Sequence, residues 1–344
     1  DLDGYSELNR LNVFAMKPAP VQVAYSGTLI SSGIPEIDYR LTDHFLDPLE
    51  EGLSKLYVEK LAYLDFSYCY AHNGQLPAVN SLPSIELGVF TFGVVLNSYG
   101  PNELEKKVWV QILKSVPNSR IVIWSKGNIP NVRRLQDSFK GYLQGQNIDQ
   151  GRLQFLLNKQ SIDELFVLAD VCLDRLPFTD GVSVCSALLA GIPSISMVGA
   201  TPSLRVGLSI LTQVGLNECL AKDLSEYVSV AVRLTQRIDT LSTLRNELPL
   251  RCRESGLVDG EKFTRSVESQ YQKFLNTYTL QRKKANDLVS VSRSQTNREP
   301  IAILYHLGRT GGTIISKCLA SMPGHELLSE INPRMSFVDP LKQS

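Results

Sequence analysis

The sequence predicts an α/β protein in which a parallel sheet carries helices on both faces. From residue 87 onward, short apolar runs alternate with stretches of helical length that have one apolar face. The apolar runs have Val, Ile, Phe and Leu at successive positions and do not alternate with polar residues, which is typical of strands buried on both faces. Alternation of such strands with helices favours a parallel sheet, because parallel neighbours need a crossover connection.

Five apolar runs predict the strands. They are LGVFTFGVV from residue 87, RIVIWS (120–125), RLQFLLN (152–158), VCLD (171–174) and PSISMVG (193–199).

The segments between and after these runs predict helices. The first helix, NELEKKVWVQILKS, places Leu104, Val108, Ile112 and Leu113 on one face. Ser161 precedes Glu164 by three residues, the spacing of a capping box at a helix start. Further helices are predicted over 131–143, 183–190, 222–238 and 260–276, the last with Phe263, Val267 and Phe274 on one side.

Composition excludes several classes of protein. The chain has 344 residues, of which 43% are hydrophobic and 20% charged, and its net charge is zero. These values are those of an ordinary globular protein, and they argue against a disordered chain, a membrane protein and a nucleic-acid partner. The six cysteines and four histidines are scattered, so we predict reduced thiols, no metal site and a cytoplasmic location.

A second pattern begins near the C-terminus. Residues 279–299 are polar with few aromatics, which predicts a linker. After them, IAILYH predicts a strand, HLGRTGG a glycine-rich loop and GTIISKCLASM a helix. We therefore expect a separate βα unit to begin at residue 300.

Six segments carry a family resemblance that covers Asp1 to about Phe274. They are KPAPVQ (17–22), DYRLTDHFLDPLE (38–50), YVEKLAYL (57–64), WVQILKSVPNS (109–119), LADVCLD (168–174) and AGIPSISMVG (190–199). In order and spacing this region resembles the catalytic core of the O-linked N-acetylglucosamine transferases and their plant SPINDLY relatives.

The resemblance implies a GT-B fold, in which two Rossmann-like domains face each other across a cleft. Residues 1–66 would be the C-terminal part of a truncated first domain, 67–84 a connector and 85–280 the nucleotide-sugar-binding domain. Residues 281–299 would be a linker. We expect the sequence to be part of a longer protein, because the family's tetratricopeptide repeats and its histidine near the acceptor hydroxyl would precede Asp1. The catalytic residue is therefore unknown.

The donor of such an enzyme is a UDP-sugar, and the fold binds phosphate at a helix N-terminus beyond the strand ends. The segment TDGVS (179–183) precedes the helix predicted at 183, so we predict that Gly181, Val182 and Ser183 contact the diphosphate. A plain turn with Ser183 as the helix cap is the alternative.

Other donor contacts follow from the resemblance alone. Lys159 corresponds to a family lysine beside the nucleoside, Gln160 and the backbone of Leu157 would face the uracil, and Ser186 stands where the family has an acidic residue for the sugar hydroxyls. Asn97 opens the loop 97–100, where the family has a pyrophosphate lysine and this chain has none. Lys106 and Lys107 are alternatives, although a place on a helix surface favours solvent exposure.

The segment GTLISSG (27–33) resembles the family loop that lines the acceptor side. The resemblance implies that Gly27, Thr28, Ser31, Ser32 and Gly33 allow close approach of a peptide. An ordinary surface loop is the equal alternative.

The C-terminal loop LGRTGGT (307–313) lies between the predicted strand and helix and resembles the 5′-phosphosulfate loop of sulfotransferases. Glycines let backbone N–H groups converge on phosphate, and Arg309, Thr310, Gly311, Gly312 and Thr313 would form this nest. The resemblance implies a truncated P-loop-like sulfotransferase unit over 300–344. Its complete domain would use 3′-phosphoadenylyl sulfate.

Together these patterns predict an inverting enzyme that moves N-acetylglucosamine from UDP to Ser or Thr of a protein or peptide, fused to a sulfotransferase. We expect no cofactor, no nucleic acid and no membrane partner. Two alternatives remain. One keeps the fold with another sugar or acceptor, and the other is a degenerate module that binds a nucleotide without turnover.

Overall fold

The structure is a computed structural model of the 344-residue chain. It describes residues 1–2, 4–5, 9–25, 29–49, 52–71, 79–96, 100–125, 129–156 and 161–292, without the side chains of 53, 129–131 and 285–292. Residues 1–281 form one compact unit. The predicted sulfotransferase segment 300–344 lies outside the described residues.

A small parallel sheet occupies the N-terminal part. A short helix, α1 (Leu11–Ala15), precedes strands β1 (Val23–Ala24), β2 (Tyr39–Thr42) and β3 (Lys60–Tyr63). The strands lie in the order β1-β2-β3, and both pairs are parallel.

A second, six-stranded sheet is also parallel throughout. Its strands are β4 (Phe90–Leu96), β5 (Ser119–Ser125), β6 (Leu153–Leu156), β7 (Val171–Leu173), β8 (Ser194–Met197) and β9 (Leu220–Ala221). The order is β6-β5-β4-β7-β8-β9. Counted from β4 this is 3-2-1-4-5-6, the order of a doubly wound dinucleotide-binding sheet. All five predicted strands are present, and the parallel sheet is confirmed.

Nine helices follow α1 in the described part of the chain. They are α2 (Pro83–Leu87), α3 (Glu103–Ser115), α4 (Ile129–Gly145), α5 (Asp163–Leu168), α6 (Gly181–Leu189), α7 (Val206–Gln213), α8 (Leu224–Thr235), α9 (Ile238–Glu254) and α10 (Gly260–Ser292). Short 3-10 turns occur at Leu53–Leu56, Gln150–Arg152, Pro202–Leu204 and Asn217–Cys219.

Helices cover both faces of the large sheet. On β5, Ile121 and Ile123 join one buried cluster, which includes Trp109 of α3, while Val122 between them joins another with Leu165 of α5. Successive residues of a strand point to opposite faces, so this alternation places apolar cover on each side. The burial of Val108, Ile112 and Leu113 confirms the predicted inner face of α3, and Leu104 packs against the same cluster.

Two predicted helix starts are wrong. Helix α6 begins at Gly181 and not at residue 183, because Asp180 supplies the cap. Helix α5 begins at Asp163 without a side-chain cap, so Ser161 and Glu164 form no capping box. The Ser161 hydroxyl instead accepts a hydrogen bond from the N–H of Asp163 at 3.1 Å, a local turn that competes with capping.

Helices α1, α2, α7 and α9 were not predicted. Helix α9 contains Pro249, which argues against a helix interior, yet it continues for 17 residues. Its buried Leu241, Leu244 and Leu248 pack into the large cluster. Tertiary burial therefore outweighs the local cost of the proline.

The last helix returns to the small sheet. Phe274 of α10 is buried beside Leu41 and Ala62, and its ring stacks on Tyr39 with centroids 3.8 Å apart. Phe263 and Val267 lie on the same side, as predicted. The helix continues to Ser292, so residues 281–292 of the expected linker are helical. This stretch contains no Gly or Pro, and most of its residues tolerate a helix.

Candidate functional site

The candidate site lies where the large sheet changes direction of winding. Strands β4 and β7 are neighbours in the sheet but lie far apart in sequence, and their carboxyl ends meet at one edge. In open parallel sheets, ligands bind in the crevice at this switch point. The described residues that border it here are Gly100, at the end of the first loop (after β4), and residues 174–180, which form the second loop (after β7).

Asp174 organises the second loop. Its carboxylate is buried and accepts hydrogen bonds from the N–H groups of Arg175 at 2.7 Å and Asp180 at 3.0 Å, and from the Ser196 hydroxyl of β8 at 2.7 Å. Burial raises the pKa of Asp174 to about 6, and hydrogen bonds from Ser196 and Thr179 oppose that rise. The loop is thus tied at both of its ends to one carboxylate.

Asp180 caps helix α6. Its carboxylate accepts a hydrogen bond from the N–H of Ser183 at 3.2 Å and another from the Ser183 hydroxyl at 2.7 Å. Ser183 is therefore the third residue of the helix and not its cap. Within the described part of the chain, the N–H groups of Gly181 and Val182 have no hydrogen-bond acceptor. The predicted phosphate position thus contains two open N–H groups and one carboxylate.

Arg175 brings a cation to the same edge. Its Nε and Nη2 donate hydrogen bonds to the carboxylate of Glu105, and Nη2 also donates to the carbonyl of Gly100 at 3.2 Å. Glu105 is fully buried and accepts further hydrogen bonds from the N–H groups of Asn102 and Leu176. Arg175 therefore joins α3, the end of the first loop and the second loop.

Two tyrosines of the connector face α6. A Cβ atom on Gly181 would lie 2.5 Å from the Tyr68 hydroxyl, so this ring packs directly on the first turn of the helix. The Tyr70 hydroxyl lies 2.8 Å from the Ser186 hydroxyl, one turn further along. Burial raises the pKa of Tyr68, so its hydroxyl is neutral near pH 7.

These elements enclose a cleft of about 470 Å³. It is lined by Tyr68, Asn102, Arg175 and residues 176–182. A narrower recess beside it reaches Asp174, Ser183 and Ser194. The cleft offers a cation, open N–H groups, neutral hydroxyls and an exposed apolar side chain, Phe178. Such a mixture suits a ligand with both charged and apolar parts.

Glu59 anchors the described part of the predicted acceptor loop by hydrogen bonds. This buried carboxylate accepts hydrogen bonds from the N–H of Ser32 at 2.7 Å, from the Ser31 hydroxyl at 2.9 Å and from the Ser32 hydroxyl. Ser32 is buried, Ser31 is half-buried and Gly33 is exposed. The Ser31 and Ser32 side chains therefore anchor the loop to Glu59.

Several predicted site residues lie outside the described residues. They are Gly27, Thr28, Asn97, Leu157, Lys159, Gln160, Arg309, Thr310, Gly311, Gly312 and Thr313. The structure brings Gly181, Val182 and Ser183 together at the start of α6, with Ser186 one turn away. Lys106 forms an ion pair with Glu103 of its own helix at 2.7 Å.

Sequence reasoning missed Asp174, Arg175, Asp180, Tyr68, Tyr70 and Glu59. One signal was available for Asp180, since Asp is a preferred cap and Ser183 follows it by three residues. The partners of Arg175 and Glu59 lie many positions away in sequence, so no local pattern marks them.

Some features are absent from the described part of the chain. No group of three or more His, Cys, Asp and Glu side chains there could hold a metal ion. The five cysteines within it are free. None of its helices is long and apolar enough to cross a membrane.

Comparison with known proteins supports the resemblance. The model of glycosyl transferase family 41 matches residues 1–80 and 93–267. A probable UDP-N-acetylglucosamine–peptide N-acetylglucosaminyltransferase SPINDLY of Oryza sativa is 34% identical over 81% of this chain, and the corresponding SEC protein of Arabidopsis thaliana is 30% identical. The chain spans about three tenths of the length of these curated relatives.

A solved structure shares the fold. A mutant of the O-GlcNAc transferase of Thermobaculum terrenum superposes with a TM-score of 0.66 and 27% identity, over 78% of this chain and 51% of that one. The α/β architecture with two parallel sheets is accordingly a GT-B fold, as expected.

Proposed function

The chain belongs to glycosyl transferase family 41, and on this premise we propose that it contains the donor site of an enzyme that glycosylates Ser or Thr of a protein from a UDP-sugar. The cleft at the switch point of the large sheet is the observation that supports this proposal best. It combines the cation of Arg175 with the open N–H groups of Gly181 and Val182, which suit a diphosphate. N-acetylglucosamine is the sugar proposed, with inversion at its anomeric carbon.

In this proposal residues 85–280 form the nucleotide-sugar-binding domain and residues 1–66 belong to the domain that faces the acceptor. The diphosphate contacts Gly181 and Val182, and Lys159 with Gln160 holds the nucleoside. The loop 27–33 borders the peptide, and Glu59 keeps its described part in place through Ser31 and Ser32.

One observation favours a different sugar. Ser186, the residue proposed to face the sugar, is hydrogen-bonded to the Tyr70 hydroxyl at 2.8 Å. The Ser186 hydroxyl donates to the Val182 carbonyl at 2.9 Å and therefore accepts from Tyr70, and it is uncharged where the family has a carboxylate. A sugar with different hydroxyl orientations is therefore the second candidate, within the same fold and reaction.

Calorimetry with the 344-residue chain tests the donor proposal. We expect binding of UDP, with Ser186→Ala changing the affinity for the UDP-sugar and leaving that for UDP unchanged. Absence of UDP binding at millimolar concentration would remove the donor proposal. Binding of GDP in place of UDP would keep the fold and change the nucleotide. Transfer by the natural protein to a Ser/Thr peptide, compared among several nucleotide sugars, identifies the sugar.

We also propose that residues 300–344 begin a sulfotransferase domain, on the sequence of the loop 307–313 alone. In the natural protein, Arg309→Ala should abolish binding of 3′-phosphoadenylyl sulfate and leave UDP binding unchanged, since the two motifs belong to different domains. A variant that keeps full sulfonucleotide affinity, or a natural protein that binds none, would refute this proposal.

A further inference from the structure

We propose that the guanidinium of Arg175 binds the donor diphosphate, and that the phosphates lie on the Arg175 side of the cleft and not directly over Ser183. The inference rests on the proposed function, because it assigns the charged contact of the nucleotide that this site would bind. The sequence pattern that predicted the donor site does not include Arg175.

The position of Arg175 supports this role. It follows Asp174 at the carboxyl end of β7 and lines both the main cleft and the adjoining recess. Among the described residues that line these spaces, Arg175 is the only Lys, Arg or His. A diphosphate in the cleft therefore has one described cationic side chain with which it can form hydrogen bonds.

The guanidinium of Arg175 is preorganised by the protein. Its Nε and Nη2 donate hydrogen bonds to the Glu105 carboxylate, and Nη2 also donates to the Gly100 carbonyl. Nη1 has no hydrogen-bond partner among the described residues, and this atom is accessible to solvent. An arginine fixed along one edge loses little side-chain freedom when its remaining N–H groups bind phosphate.

The start of α6 is less suited to carry the whole charge. The Asp180 carboxylate already accepts hydrogen bonds from the N–H and the hydroxyl of Ser183. It would repel a phosphate placed over Ser183. Gly181 and Val182 still offer N–H groups beside the cleft. A diphosphate that lies between these two and Arg175 gains both kinds of contact while staying away from the Asp180 carboxylate.

The sequence between β4 and α3 contains no cationic side chain. Residues 97–100 are Asn-Ser-Tyr-Gly. Gly100 has φ +77°, and a Cβ atom there would lie 2.5 Å from Cδ2 of Leu135. A lysine at this position would be strained and crowded. Arg175 follows β7, and its Nη2 lies 3.2 Å from the Gly100 carbonyl. It therefore brings a guanidinium to Gly100 from the end of the neighbouring strand.

The experiment compares UDP with uridine by calorimetry on the 344-residue chain. Removing Arg175 alone leaves the buried Glu105 without its ion-pair partner and endangers folding. The test variants are therefore the neutral double substitution Arg175→Gln with Glu105→Gln, and the single substitution Arg175→Lys. The double variant should bind UDP about ten- to a hundredfold more weakly, the scale for hydrogen bonds to a charged group, with uridine unchanged. Arg175→Lys should keep most of the preference for UDP over uridine.

Salt and a control arginine separate charge from structure. The UDP affinity of the parent should fall more steeply with ionic strength than that of the double variant. Arg233→Gln, on the exposed face of α8, should change neither ligand. An unchanged ratio of UDP to uridine affinity in the double variant would overturn the inference, and so would an equal loss for both ligands. If the parent itself binds no nucleoside diphosphate, the proposed function fails and the assignment of Arg175 fails with it.

Discussion

The carboxylate of Asp43, just beyond β2, accepts a hydrogen bond from the hydroxyl of Ser209 in α7 at 2.7 Å. The two residues are 166 positions apart and belong to the small-sheet and large-sheet sides of the unit. Asp43 also accepts hydrogen bonds from the N–H and hydroxyl of Ser67, at 2.8 and 2.6 Å, and from the N–H groups of Phe45 and Leu46. One buried carboxylate thus connects both sides of the protein to the start of the connector.

Ser209→Ala should therefore destabilise the protein by about 1.5–3 kcal/mol, because the buried Asp43 carboxylate loses one of its hydrogen-bond donors. Chemical denaturation measures the change in the free energy of unfolding. Ser229→Ala is the control, since that hydroxyl is exposed on α8, and it should stay within about 0.5 kcal/mol of the parent. Equal effects of the two substitutions would show that the Asp43 contact contributes nothing specific.

Asp180→Asn should strengthen UDP binding about three- to tenfold, if the diphosphate lies near the start of α6. Asn caps a helix as well as Asp does, so the helix start is preserved while one negative charge is removed from the cleft. Asp223→Asn is a matched control, because Asp223 caps α8 in the same way, through the N–H of Glu226 at 2.8 Å. Calorimetry gives both affinities. Weaker UDP binding by Asp180→Asn would mean that the carboxylate itself holds the donor.

Asp174 should make stability depend on pH. Its pKa is about 6 in the folded protein, against an ordinary 3.8, because of burial. The folded state binds the proton more tightly, so its contribution to the free energy of unfolding decreases as pH rises from about 4 to about 6, by about 3 kcal/mol in total.

Asp174→Asn should flatten that part of the profile, since the amide oxygen can still accept from the backbone N–H groups and does not titrate. Thermal unfolding between pH 4 and 7 measures the difference. Asp239→Asn, on the exposed first turn of α9, serves as the reference. A parent and an Asp174→Asn variant with parallel profiles would contradict the assignment.

Glu59→Ala should loosen the loop that contains Ser31 and Ser32. Three hydrogen bonds to this carboxylate would be lost. Amide hydrogen exchange across residues 29–34 should become about tenfold faster or more, because local opening then costs less free energy. UDP affinity should not change. Lys60→Ala, the exposed neighbour on β3, should leave the exchange rates as they are, and unchanged rates in Glu59→Ala would exclude the anchoring role.

The strands and most helices were predictable from the sequence because their signal is local. Strands β4 and β5 are centred on apolar runs, and α3 repeats apolar residues at helical spacing after a residue that caps it, Asn102. Helices α7 and α9 were missed because α7 is only 8 residues long and α9 contains Pro249, so burial by the rest of the fold decides them.

What the sequence by itself determined is the family, the parallel sheet and the presence of a loop-to-helix junction within residues 179–183, since these depend on residue order and periodicity. Only the tertiary structure decided the charge of the site. Asp180 turns its carboxylate onto Ser183, and Arg175 meets Glu105 from 70 positions away. Such contacts depend on which strand ends become neighbours in the folded sheet, and hydrophobic periodicity carries no information about the partner that a charged side chain finds there.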